Sequence, residues 1–148
     1  MFTESINLTG KLNIVLLDQF GNVKDTRDVK NLVVTSGKTV IASRMAGNTS
    51  PLMSRMAVGT SSVAATISDT TLGTAVAAGN VALDSTTATT NTLTYVATFP
   101  AGTGTGALTE AAILNASSSG NMLCRTTFST VNKAIGDTIV ITWNVTVA

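Results

Sequence analysis

Three glycines at alternate positions, Gly102, Gly104 and Gly106, stand just ahead of a lone carboxylate, Glu110, in the run FPAGTGTGALTEAAILNA. Glycine-rich turns cradle phosphates when their backbone amides converge in front of a helix. A P-loop closes on Gly-Lys-Ser/Thr, and no lysine follows Gly106. A dinucleotide fingerprint needs G-x-G-x-x-G between a strand and a helix, and GTGTG has a different spacing. The three glycines therefore read as a wide turn or bulge joining two strands. Glu110 falls among apolar neighbours. It reads as an acceptor for loop amides or as the partner of Arg125 on the next strand.

The rest of the reactive side chains are sparse. There is no histidine, which removes the usual proton shuttle, His-based triads and most zinc sites. Cys124 is the single cysteine and sits in the strand-like run MLCRTTF, where it reads as a small core residue. Asp25 and Asp28 lie close together, but Lys24, Arg27 and Lys30 interleave with them. That pattern is a charge-balanced solvated face, not a carboxylate pair for acid–base work. The expectation is a protein with no catalytic group, no cofactor, no metal and no small-molecule substrate.

The elements that position these residues read as β. Charged residues make up 11% of the chain, against about 25% in an average soluble domain. Threonine fills much of the gap, with 27 copies, and β-branched residues suit a pleated, half-buried surface. Residues 11–18 and 23–34 flank the turn Gln19-Phe20-Gly21-Asn22 and predict an N-terminal β-hairpin, taken as an arm over 1–34. Residues 36–46 predict one short helix, capped by Thr35 or Ser36 and ended by Gly47. The segment 107–116 is helical by its alanines and leucines, yet its position between two turns favours a strand paired with 122–128. In DTIVITWNVTVA, Ile139, Ile141, Trp143 and Val145 alternate with polar or smaller residues. Trp143 is then the main aromatic anchor of the core. About eight strands and one helix predict an all-β fold, a two-sheet antiparallel sandwich of jelly-roll type over 35–148.

Charge is uneven along the chain. Residues 1–55 carry seven Lys/Arg and four Asp/Glu, whereas Asp69 and Asp84 are the only charges between Met56 and Thr109. So bare a stretch reads either as a neutral Thr/Ser surface or as one covered by partner subunits. Within it, residues 60–80 lack a period, and Val63, Ile67, Leu72 and Val76 are expected to hug the core or to form a subunit contact. The net charge of +1 gives no field that would attract nucleic acid. No run approaches the roughly 18 apolar residues of a membrane span.

The order of motifs resembles small structural proteins of tailed bacteriophages over residues 31–147. The most specific parts are MAVGT, DTTLG, FPAGTGTGALTEA and the closing DTIVITW. The resemblance implies a virion component with no enzymatic activity. A head decoration (cement) protein comes first, and a tail, baseplate or fibre protein is the alternative. It implies assembly in the host cytoplasm, a place on the capsid surface and the major capsid protein as partner. The three-fold points of a head shell match a homotrimer. In that setting Lys24, Arg27 and Lys30 of the hairpin are the candidate capsid contacts. Gly102, Gly104, Gly106, Glu110, Arg125 and Trp143 are candidate structural residues.

Overall fold

A computed structural model describes residues 4–148 of the chain. The N-terminal hairpin forms as the sequence predicts, from β1 (Leu8–Leu17) and β2 (Val23–Val33). Its turn is held by the Asp18 carboxylate, which accepts the amides of Phe20 and Asn22 at 2.9 Å each. Gly21 there takes a left-handed φ of 83°, which costs glycine little.

The helix α1 runs over Thr35–Met45, and Val34 occupies its N-cap without any side-chain cap. Neither expected cap acts as one. The Ser36 hydroxyl donates to the Met122 carbonyl, and the Thr39 hydroxyl to that of Thr35. The C-terminus closes as expected. The amides of Gly47 and Asn48 bond back to the carbonyls of Arg44 and Ser43, with Gly47 at φ 78°. This is a Schellman closure. Gly37 lies against the Leu123 backbone, and a Cβ there would meet its carbonyl oxygen, so this glycine lets the helix sit tight on the sheet.

Seven further strands follow: β3 (Arg55–Gly59), β4 (Ala75–Ala82), β5 (Ser85–Thr89), β6 (Thr92–Phe99), β7 (Gly106–Leu114), β8 (Met122–Lys133) and β9 (Thr138–Val147). The ambiguous segment 107–116 is therefore mostly strand, and its partner is the expected one. The glycine run becomes the β6–β7 turn, with Gly102, Gly104 and Gly106 all at positive φ.

All nine strands pair antiparallel in one curled half-barrel sheet of order β4-β3-β7-β8-β2-β1-β9-β6-β5. The fold is all-β with one short helix, as expected, but the strands form a single hydrogen-bonded sheet. The link is the hairpin. β1 pairs with β9 along its full length, while β2 reaches β8 through Leu32 and Val33 alone. Residues 1–34 were expected to form an arm; instead β1 and β2 lie in the middle of the strand order. Five strands on one side of the narrow β2–β8 joint and four on the other curl around a shared core.

That core takes one face of each long strand. Leu12, Ile14 and Leu16 of β1 join Tyr95, Ala97 and Phe99 of β6 and Ile139, Ile141, Trp143 and Val145 of β9. From beyond the joint come Met56, Val58, Leu108, Ile113 and Cys124. Trp143 is fully buried between its register partners Leu12 and Tyr95. Burial pushes the Tyr95 phenol up to about 12 and the Cys124 thiol well above its ordinary value. A protonated, fully enclosed thiol is a packing group, not a nucleophile.

Candidate functional site

The most strongly structured polar cluster lies on β7 and β8, on the face away from the main core. Along β7, Ala111 and Ile113 enter the core, so Glu110 and Ala112 turn to the opposite face. Ala112 is the register partner of Arg125 on β8, which sets Arg125 diagonal to Glu110 on one face. The segment 60–74 roofs this face, and both charged side chains are buried beneath it.

Glu110 does both things the sequence left open. Its carboxylate accepts the amides of Ser61, Gly73 and Thr74 at 3.2, 2.9 and 2.7 Å. It also receives the Arg125 guanidinium, Nε at 2.9 Å and Nη2 at 2.8 Å from Oε2. Arg125 then reaches Asp69 through Nη1 at 2.7 Å and the Val63 carbonyl through Nη2 at 3.0 Å. Thr109 adds a bond from its hydroxyl to the Ser61 carbonyl. Burial by itself drives the Glu110 carboxyl up, but the Thr74 and Gly73 amides and Arg125 outweigh it and hold it below the ordinary carboxylate range. Asp69 follows the same logic. Desolvation raises it, and the Thr66 amide and Arg125 bring it below its ordinary value.

The effect is to fix a loop backbone while leaving its apolar side chains outside. Val63 is 71% and Ile67 58% exposed, so of the two expected placements, against the core or in a subunit contact, they do not take the first. Leu72 and Val76 do pack inward. Arg125 holds the Val63 carbonyl and the Thr35 amide holds that of Ile67 at 2.8 Å, so the backbone at both residues is anchored while their side chains face outward.

The three candidate contact residues on β2 separate. Lys24 is exposed and pairs with Asp137 at 2.7 Å. Arg27 turns to the same side as Val29, chelates Asp25, and donates to the carbonyls of Ser129 and Thr130 on β8. It thus bridges the stretch where β2 and β8 no longer pair. Lys30 is exposed and makes no ion pair among the described residues. Its direct cross-strand partner is Lys11, which is also exposed. Like charges opposite one another weaken a sheet, so this pair has a cost that an acidic partner would relieve. Lys11 was missed in the sequence, although a hairpin turning at 19–22 fixes the register and places residue 11 opposite residue 30.

Lys133 was missed as well. It is buried, and its ammonium has one hydrogen bond, to the Pro100 carbonyl at 3.0 Å. Burial lowers its pKa more than nearby Asp137 raises it. No periodicity marks this residue, because the β8 pattern there alternates with polar side chains on both faces.

Apolar side chains gather at both ends of the half-barrel. At the β1–β2 and β8–β9 turns, Phe20, Val23 and Ile135 are 80%, 63% and 75% exposed. At the other end, α1 and residues 51–53 leave a cavity of about 310 Å³ over β6 and β9, lined by Val40, Ile41, Leu52, Leu93, Tyr95 and Val145 among others. It shares Leu8, Ile41 and Val147 with an adjoining hollow of about 590 Å³.

Among the described residues, no three His, Cys, Asp or Glu side chains come together as a metal site, and no helix is long and apolar enough to cross a membrane. In comparisons with known proteins, no family model, no curated protein and no solved structure matches the chain.

Proposed function

We propose that this chain is a non-enzymatic structural component of a tailed-phage virion, and in first place a head decoration protein that binds and stabilises the shell. The carrying observation is the clamp in which buried Glu110 and Arg125 hold the loop 60–74 through its backbone and through Asp69, its one charged residue, with Val63 and Ile67 turned outward. Preorganising an exposed apolar loop lowers the ordering cost of docking. The virion assignment itself comes from the motif resemblance over residues 31–147. In this reading the two strand blocks on either side of the β2–β8 joint act as the two layers of a jelly-roll-type sandwich. The Lys11–Lys30 face meets an acidic patch of the major capsid protein, and copies assemble as a trimer at three-fold points of the shell. Each contact is weak, and repetition over the lattice supplies the avidity.

A tail, baseplate or fibre protein is the second reading. The apolar features at opposite ends of the strands favour it, because they suit serial stacking.

The test is the copy number of the chain per purified virion, measured by quantitative mass spectrometry against the major capsid protein. Hundreds of copies support decoration. A few to some tens support the tail reading and remove the capsid-clamping role of Lys11 and Lys30. Absence from the particle overturns both.

A further inference from the structure

We infer that the two apolar ends are complementary halves of one contact, so that the Phe20 tip of one copy seats in the apolar cavity of a second copy, head to tail. The inference concerns only the surface of this chain and does not depend on which part of a virion holds it.

The tip and the cavity lie at opposite ends of the same strands. Leu8 of β1 lines the cavity, and Leu17 leads into the Phe20 turn. Nine residue steps of about 3.3 Å separate them by about 30 Å, so one copy cannot fill its own cavity with its own tip. The tip is a fixed structure. Asp18 pins the backbone of the Phe20 turn, the Lys24–Asp137 pair ties it to the β8–β9 turn, and the Ile135 carbonyl accepts the Gly102 amide at 2.7 Å. Phe20, Val23 and Ile135 are therefore presented by two turns braced against each other and against the β6–β7 turn. Seating one aromatic and two aliphatic side chains in a cavity removes their apolar surface from water, which favours the contact.

Charge selects the same partner. The residues lining the cavity and its adjoining hollow include Lys38 and Arg44 and no acid. At the tip, Asp18 makes no ion pair among the described residues, and hydrogen bonds from Asn22 and Phe20 hold its carboxyl below the ordinary range. An ionised carboxylate beside an exposed aromatic ring thus faces a basic rim around an apolar cavity. A contact between two different patches of identical chains is heterologous. It closes into a ring if the rotation allows and otherwise runs on as a stack.

The experiment uses the full chain, purified without any virion. Phe20→Asp removes the tip, and Leu52→Arg blocks the cavity rim; both positions are exposed, so folding is checked by circular dichroism and expected to persist. By sedimentation, the parent chain should associate with rising concentration, and each variant alone should stay monomeric. An equimolar mixture of the two should give a one-to-one complex and nothing larger, since one copy keeps the tip and the other the cavity. As a second measurement, a Phe20→Cys chain mixed with a Leu52→Cys chain should form a mixed disulfide under mild oxidation. A parent chain that stays monomeric overturns the inference. So does association of Leu52→Arg alone, which would mean a tip-to-tip contact, and so does a mixture without a one-to-one complex, which would mean that tip and cavity are not partners of one another. So does loss of association with Leu52→Arg but not with Phe20→Asp, which would mean that the cavity takes another occupant.

Discussion

Arg125 lies diagonally across two paired strands from Glu110, with its Nη2 2.8 Å from the Glu110 carboxylate, and both are buried under a loop that carries no basic residue. The pair has no solvent to fall back on, and each partner is what keeps the other's charge tolerable. Removing one side of such a pair costs more than the pair is worth. Arg125→Met strands the Glu110 and Asp69 carboxylates and is expected to lower unfolding free energy by about 3–5 kcal/mol. Glu110→Gln keeps the shape but has one acceptor oxygen. It can still serve the Ser61 and Thr74 amides, while its own NH2 then faces the Gly73 amide and the Arg125 guanidinium, so a cost of about 1–3 kcal/mol is expected. The double variant should cost less than the sum of the singles. Urea unfolding of the four proteins checks the cycle, and strict additivity would mean that the two residues act separately.

The same clamp gives the loop a dependence on pH. The groups facing it are Glu110 and Asp69 on one side and Arg125 on the other. Both carboxyls titrate below their ordinary values of 4.5 and 3.8 in the folded chain. The unfolded chain therefore binds more protons, and stability rises with pH in this range. The contribution is complete above 4.5 and is lost as pH falls through the lower folded values. Amide exchange at Ser61, Gly73 and Thr74 should accelerate, relative to the intrinsic rate, before that of the β1 and β9 amides. Simultaneous loss of protection everywhere would show that the loop has no separate opening.

Lys133 makes the opposite case. Its ammonium is buried with a single neutral acceptor, and its pKa lies below 10.5 in the folded chain. Stability from this group is therefore lowest at neutral pH and rises as the pH climbs through the folded value towards 10.5. Replacing such a charge by an apolar side chain of similar length is commonly neutral or favourable. Lys133→Met should raise the denaturation midpoint at pH 7 by the equivalent of about 1 kcal/mol. A fall of the midpoint would mean that the Pro100 bond outweighs the desolvation of the ammonium.

The glycine turn separates two kinds of glycine requirement. Gly102 and Gly104 both take left-handed φ, 77° and 60°. Around Gly102 a Cβ would meet nothing, whereas at Gly104 it would press on Val58 and Phe99 at 3.0 and 3.2 Å. Gly102→Ala should cost about 1 kcal/mol, the backbone strain alone. Gly104→Ala adds a clash with two core side chains and should cost about 1–3 kcal/mol more. Thermal unfolding of both variants tests the difference, and equal costs would show that the Gly104 contacts relax freely.

The sequence made strand alternation, the hairpin, the helix end at Gly47 and the partners of Glu110 legible, because each depends on a short local pattern. Trp143 announced its burial by strict period two. What stayed hidden depends on register between distant strands. Nothing local tells that β1 runs along β9 and so carries the hairpin into the sheet. Nor does composition show that Arg27 bridges to β8 while Lys30 stays outside. Val63 and Ile67 left core and subunit contact both open for a related reason: apolar residues in a loop look like core unless the charged pair beneath them is seen to hold the backbone.

The position of the hairpin also decides how its capsid contact is to be tested. Deleting residues 1–34 would strip β9 of one neighbour and β8 of its strand partner in the other block. The truncated chain is expected to be unfolded or aggregated by circular dichroism, so loss of capsid attachment by that protein would say nothing about a contact. Charge reversal on the outer face is informative instead. Lys11 and Lys30 are exposed, face each other across the β1–β2 pair and make no ion pair among the described residues. A single Lys30→Glu change turns a like-charge pair into an attractive one, so stability should hold or rise by a few tenths of a kcal/mol. If the face meets an acidic patch of the shell, attachment to capsids lacking this chain should weaken by about tenfold, and more at low salt, where such charges are least screened. Lys24→Glu would break the pair with Asp137 and lose stability as well, which makes it the poorer probe. Unchanged attachment of Lys30→Glu together with unchanged folding would move the contact off this face and towards the clamped loop at Val63 and Ile67.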